Sequence, residues 1–306
     1  MKLGILTSIL DGWTFYEALE IAREMGFACM EVACWPKGEA ERRYAGVSHL
    51  DVDRVLADSA YAEAILAGCR EKGISISALA FYPNTMDPDP AKREENITHL
   101  RKVIQASSRL GVNLVTTFIG RDQTKSVEEN LKIFGEIWPG IIRFAEEWDV
   151  KIAIENCPML FGRDQWPGGQ NLMATPALWR QMFQMIPSPC FGLNFDPSHF
   201  VWQQMDYIQP LYEFKDRLFH VHCKDIKVYP ERLSQCGVMA YPLEYMAPKL
   251  PGLGDVDWSR WFSALYDIGY QGGVCIEVED RAFESSRESI LDSIRLSKRY
   301  LNQFIV

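Results

Sequence analysis

The sequence predicts an α/β fold, a single (β/α)8 barrel spanning residues 1–306 with extended loops on one face. Three observations carry that expectation. Eight short apolar runs alternate with amphipathic helical stretches, as parallel strands buried on both faces require. A left-handed stop, usually glycine, recurs between a helix and the next strand. The first run is not followed by the Gly-rich phosphate turn that an open doubly wound sheet usually carries.

The elements follow in order. Residues 3–8 form the first strand-like run. Thr14 and Glu17 then make a capping-box pair, and Phe15, Leu19, Ala22 and Met25 repeat at helical spacing until Gly26 ends the helix. The second run covers 28–35. Gly73 precedes 74–81, Gly111 precedes 112–119, Asp149 precedes 150–155, and Gly269 stands ahead of 273–277. Residues 190–195 and 218–222 supply the sixth and seventh strands, and a helix over about 286–304 closes the set. The segments after strands 2, 3, 5 and 7 are long (36–50, 82–96, 156–174 and 226–255). In a barrel such βα loops crowd the C-terminal face, where ligands bind.

Composition narrows the function. With 32 basic and 41 acidic side chains the net charge is −9, which argues against a polyanion partner such as nucleic acid. The 16 Phe, 12 Tyr and 9 Trp argue against disorder. No apolar run is long enough to span a bilayer, and no export leader precedes the first strand. The eight cysteines form no CxxC pair and read as reduced thiols of a cytoplasmic protein.

Polar residues interrupt the apolar pattern at four successive strand ends. These are Glu155-Asn156, then Asn194 with Asp196 and His199, then His220, His222 and Lys224, then Glu277 and Glu279. C-terminal strand tips are neighbours in a barrel, so these side chains converge. Carboxylates aimed at one point repel one another, and a divalent cation removes that conflict. Glu155, Asp196, His222 and Glu277 offer three carboxylates and one imidazole. That set suits one Mn²⁺, Mg²⁺ or Co²⁺ ion per chain, with Zn²⁺ also accommodated. His222 is expected to face the interior and His220 to face elsewhere, as core. Glu279 is expected to cap or to pair with Arg281.

These residues resemble the xylose-isomerase-like sugar isomerase/epimerase family, which includes ketose 3-epimerases, inosose-processing enzymes and hydroxypyruvate isomerase. The resemblance runs along the whole chain. It is strongest at Ile154-Glu155-Asn156, Asp196-Pro197-Ser198-His199, His220-Val221-His222-Cys223-Lys224-Asp225, residues 251–258, and Ile276-Glu277. It implies that Glu155, Asp196, His222 and Glu277 bind one divalent metal and that His199 contacts substrate hydroxyls. An Arg that binds sugar in the ketose epimerases falls near Val228 here, and Lys224 or Lys227 is expected to supply a cation instead.

The chemistry implied is proton abstraction beside a carbonyl through a metal-stabilised enediolate, with Glu155 and Glu277 as the acid/base pair. Further substrate contacts are expected from Asn156, Glu31 and Trp35. Tyr82, Phe161, Trp166 and Trp202 are further aromatics placed at the mouth. The acidic surroundings of strand 8 favour a neutral sugar or glycoside over a sugar phosphate. The alternative is a lyase that eliminates from a 3-keto sugar or cleaves a 3-oxo-glycoside, including a C-glycoside. The insert 229–249 would then accommodate an aglycone or a second subunit; otherwise it serves as a lid. Self-association into a homo-oligomer is expected. A three-zinc nuclease is disfavoured, because only five His are available and His49 and His99 lie in poor positions.

Overall fold

Helix starts are set by side chains that satisfy the first free backbone N–H groups. Thr14 and Glu17 close a reciprocal capping box, as do Ser126 and Glu129, while Asp51, Asp58, Asp89, Thr175, Asp257 and Ser286 cap six further helices. Gly73, at φ 68°, ends the third helix in the left-handed region.

The computed structural model describes residues 1–36, 45–159 and 168–306. The chain runs through β1 (Lys2–Leu6), α1 (Phe15–Glu24), β2 (Cys29–Ala33), α2 (Val52–Ala57), α3 (Ser59–Lys72) and β3 (Ser75–Ala80). It continues through α4 (Pro90–Arg109), β4 (Leu114–Thr117), α5 (Val127–Glu147), β5 (Lys151–Glu155), α6 (Pro176–Met185) and β6 (Phe191–Phe195). Two short helices, α7 (Ser198–Trp202) and α8 (Gln209–Glu213), lead to β7 (Leu218–Cys223). Then come β8 (Asp225–Val228), α9 (Pro230–Cys236), β9 (Met246–Lys249), α10 (Trp258–Asp267), β10 (Gly273–Ile276) and α11 (Arg287–Leu301).

Eight of these strands close a barrel in the order β1-β10-β7-β6-β5-β4-β3-β2, every neighbouring pair parallel. The predicted (β/α)8 architecture is therefore present. Helical aromatics such as Trp138, Trp179, Trp258 and Trp261 are fully buried in the core that encloses the barrel. Inside it, Gly4 is required by close approach, since an added Cβ would lie 2.5 Å from Cys29 Sγ and 2.9 Å from Cys275 Sγ. All eight cysteines are free thiols. Among the described residues no helix is long and apolar enough to cross a membrane.

Two features depart from the sequence reading. The unit after β6 is a pair of five-residue helices rather than one amphipathic helix. The segment after β7 folds back as an antiparallel ribbon, β8 against β9, with α9 between them. Trp202, Ile226, Tyr245 and Met246 form a small apolar cluster under this ribbon, separate from the main core. The insert 229–249 is thus a flap with its own packing, seated on α7.

The ribbon is anchored by Asp225. Its carboxylate accepts hydrogen bonds from the N–H groups of Ile226 (2.8 Å), Gly252 (2.9 Å) and Val256 (3.0 Å) and from Trp258 Nε1 (2.8 Å). Burial pushes its pKa up while these donors oppose the shift. Gly254 lies so close that a Cβ there would stand 2.2 Å from Asp225 Oδ1.

Candidate metal centre

Glu155 ends β5, Asp196 follows β6, His222 lies near the end of β7, and Glu277 follows β10. Four neighbouring strand tips therefore deliver four ligand atoms that all lie within 4.8 Å of one another. His222 Nδ1 is 3.1 Å from Glu277 Oε2 and 3.9 Å from Glu155 Oε2. Glu155, Asp196 and His222 are almost completely buried.

Glu155 Oε1, Asp196 Oδ2, His199 Nε2 and His222 Nδ1 are buried without a hydrogen-bond partner. Leaving such atoms unsatisfied costs about 1–3 kcal/mol each, so four of them converging calls for a common partner. Three carboxylates and one imidazole nitrogen are the donors a divalent cation needs, and the residues fit that group.

Lys224 adds an ammonium to the cluster. Its Nζ is 3.0 Å from Glu277 Oε2, 3.2 Å from Asp196 Oδ2 and 3.8 Å from Glu279 Oε2. Glu279 thus approaches Lys224 in addition to any partner on its own loop. Lys227 is half-exposed, 2.6 Å from Asp255, leaving Lys224 as the cation at the cluster. Val228 lies in β8 and donates its N–H to Asp255.

The electrostatics follow from this crowding. Burial, then the neighbouring Glu277 charge, raise the Glu155 carboxyl to about 7. Burial also opposes ionisation of Glu277, but Lys224 and His222 outweigh it and hold that carboxyl far below its usual range. Burial acts against the Lys224 ammonium, yet Glu277, Glu279 and Asp196 keep its pKa well above the usual value. His199 is depressed to about 4 by burial and by Lys224, so its ring is neutral near pH 7.

A second layer lies deeper in the barrel. Glu31, on β2, is wholly buried and accepts hydrogen bonds from Tyr82 Oη (2.6 Å), Thr116 Oγ1 (2.6 Å) and His222 Nε2 (2.6 Å). Burial resists its ionisation, but His222 and His220 bring it down to about 2. The proton that Glu31 accepts sits on Nε2, which leaves Nδ1 to face the cluster. Burial likewise disfavours the charged His222 ring, but Glu31 outweighs it and raises that pKa well above its usual value.

Asn194 Nδ2 donates to Tyr82 Oη at 3.1 Å, and its Oδ1 meets His220 Nδ1 at 3.0 Å. Irregularities in strand register fall opposite Met30/Glu31 and Leu193/Asn194, where the extra residue lies on the facing strand, Ser77 in β3 and Phe219 in β7.

Several expected positions take a different form. His220 lies on the same face as His222, because residues two apart in a strand point the same way, and their rings are 5.8 Å apart. Glu31, expected against substrate, has its oxygens committed to three donors beneath the cluster. Asn156 spends both amide ends on Asp196, donating to its carbonyl (2.9 Å) and accepting from its N–H (2.8 Å). It clamps β5 to β6 rather than facing the mouth. Trp35 packs edge-on against Phe81 at 4.9 Å, half-buried. Trp202 is buried under the ribbon. Phe161 and Trp166 lie outside the described residues. Tyr82, Thr116 and Asn194 were not predicted as supports of the cluster; only the period-two spacing of Asn194 with Asp196 pointed inward.

The xylose isomerase-like TIM barrel family model matches residues 19–300. The chain belongs to that family. Within it, an inosose dehydratase from Lactiplantibacillus plantarum is 26% identical over 117 residues, covering 38% of each chain. Among solved structures, a zinc-bound IolI protein aligns at TM-score 0.73 and 19% identity, covering 100% of this chain and 98% of that one. A D-psicose 3-epimerase from Clostridium cellulolyticum aligns at TM-score 0.70 and 15% identity, covering 100% and 99%. These structural likenesses show the shared barrel. The family membership makes an enzyme of the isomerase, epimerase or dehydratase kind the coarse reading of this chain.

Proposed function

We propose that Glu155, Asp196, His222 and Glu277 hold one divalent cation and that the barrel isomerises or epimerises a small neutral keto-sugar. The observation that carries this reading is the convergence of Glu155 Oε1, Asp196 Oδ2 and His222 Nδ1, all buried without a hydrogen-bond partner, beside Glu277. Held by these four residues, such a cation would supply Lewis-acid polarisation of the substrate carbonyl. Mn²⁺ suits the oxygen-rich set best; the zinc of the IolI structure is a property of that protein.

Glu155 and Glu277 approach from β5 and β10, with β6 and β7 between them in the barrel. One removes the proton beside the carbonyl and the other returns it, to the opposite face for epimerisation or with transfer to the neighbouring carbon for isomerisation. Lys224 holds Glu277 in its ionised form and places a positive charge where substrate oxygens enter. His199, neutral, with Nε2 lacking a hydrogen bond and 3.3 Å from Asp196 Oδ2, orients a hydroxyl.

Elimination next to the same carbonyl is the second reading, and the dehydratase relative favours it. The experiment that separates the two incubates metal-loaded protein with keto-sugars and 3-keto-glucosides in deuterated water. Deuterium at the carbon beside the carbonyl, in an isomeric product, is expected. Loss of water or of an aglycone assigns the lyase, and no exchange with any keto-sugar overturns proton abstraction altogether.

A further inference from the structure

Glu155 turns its two oxygens toward different neighbours. Oε2 faces His222 Nδ1 at 3.9 Å, within the four-residue cluster. Oε1 faces His199 Nε2 at 3.6 Å, and both of these atoms are buried without a hydrogen-bond partner. Cys157, two residues past the end of β5, completes a group whose ligand atoms lie within 4.8 Å of one another. Met159 N–H points at its sulfur from 3.3 Å. Cys157 as a residue is partly buried.

We propose that Glu155, Cys157 and His199 form a second divalent-cation site, selective for a thiophilic ion such as Zn²⁺ or Cd²⁺ and joined to the first through the Glu155 carboxylate. One oxygen, one sulfur and one imidazole nitrogen with an open fourth position match the tetrahedral preference of zinc. Mg²⁺ and Mn²⁺ avoid thiolate and are sorted into the oxygen-rich cluster. A carboxylate shared between two ions about 3.5–4 Å apart is a common arrangement in two-metal centres. An ion at this site occupies the His199 nitrogen that would otherwise meet a substrate hydroxyl, so excess zinc switches the mouth off. The site goes beyond the function proposed above, with which it shares only Glu155 and His199.

The test titrates the full-length protein, preloaded with Mn²⁺, with Cd²⁺. Binding is followed by thiolate-to-cadmium absorption and by equilibrium dialysis. One additional equivalent is expected, with the charge-transfer band. Cys157→Ser should lose both, and His199→Asn should weaken Cd²⁺ binding by about tenfold or more. Asp196→Asn should lose Mn²⁺ yet keep the band, which separates failure of the first site from failure of this one. No band in the wild-type protein, or a band unchanged in a folded Cys157→Ser variant, overturns the proposal.

Discussion

Glu31 Oε2 lies 2.6 Å from His222 Nε2, on the opposite side of the imidazole from the Glu155–Asp196–Glu277 cluster. The carboxylate accepts the Nε2 proton and turns Nδ1 toward the three acids. Tyr82 and Thr116 in turn hold Glu31, so the orientation of one ring is built from β2, β3, β4 and β7 together. Glu31 is a positioning residue for His222, through which it would act on a bound cation.

Glu31→Gln keeps the shape but loses the charge that fixes the tautomer. Divalent-cation affinity should fall about 10–100-fold, as for other carboxylates behind a metal-binding His. Isothermal titration with Mn²⁺ checks the affinity, and ¹⁵N-histidine spectra check the ring's protonation. Unchanged affinity in a folded variant contradicts the role.

Glu277→Gln removes one member of the proposed acid/base pair. Its activity should fall about 10²–10⁴-fold, the usual contribution of a positioned general acid or base. Deuterium wash-in at the substrate carbon, measured at matched metal occupancy, separates this loss from weaker metal binding. Wash-in at the wild-type rate would show that Glu277 does not move the proton.

Asp225→Ala should destabilise the protein by about 3 kcal/mol or more, because three backbone N–H groups and the Trp258 indole lose a charged acceptor together. Gly254→Ala attacks the same anchor by driving a Cβ into the carboxylate. Urea denaturation gives the stability change. A variant within about 0.5 kcal/mol of wild type would mean that water satisfies these donors.

Acid should weaken the fold through His49 and His99. Each is buried, and its Nε2 donates to a carbonyl, Leu10 O at 3.0 Å and Cys34 O at 2.8 Å. Burial holds both rings below the usual histidine pKa. The unfolded chain takes up these protons near pH 6.5 while the folded one does not. Stability is therefore present above that pH and is lost as the pH falls through it toward the depressed folded values. The stability advantage of wild type over a His49→Gln/His99→Gln variant should shrink between about pH 7.5 and 5.5. A gap that does not change with pH removes these rings as the cause.

The barrel was legible because its signals are local. Apolar runs, caps and left-handed stops each lie within a few residues, and they placed eight strands and the closing helix. The convergence of the four strand-tip residues was legible for the same reason, since each breaks an apolar run at its end. The support behind them was not. Glu31, Tyr82, Thr116 and Asn194 meet only when β2, β3, β4 and β6 close, and the register shifts beside them come from extra residues on the facing strands, Ser77 in β3 and Phe219 in β7. The fold-back of β8 on β9 was hidden because its pairing depends on Asp225 and Trp258, more than thirty residues apart.

The measurement that bears most directly on the central claim is cation stoichiometry, by elemental analysis and Mn²⁺ binding, on wild type and Asp196→Asn side by side. One divalent cation per wild-type chain is predicted, with its loss from a folded Asp196→Asn variant. A wild-type protein that binds none, and that neither Mn²⁺ nor Mg²⁺ activates, would contradict the claim that these buried acids are gathered around a metal.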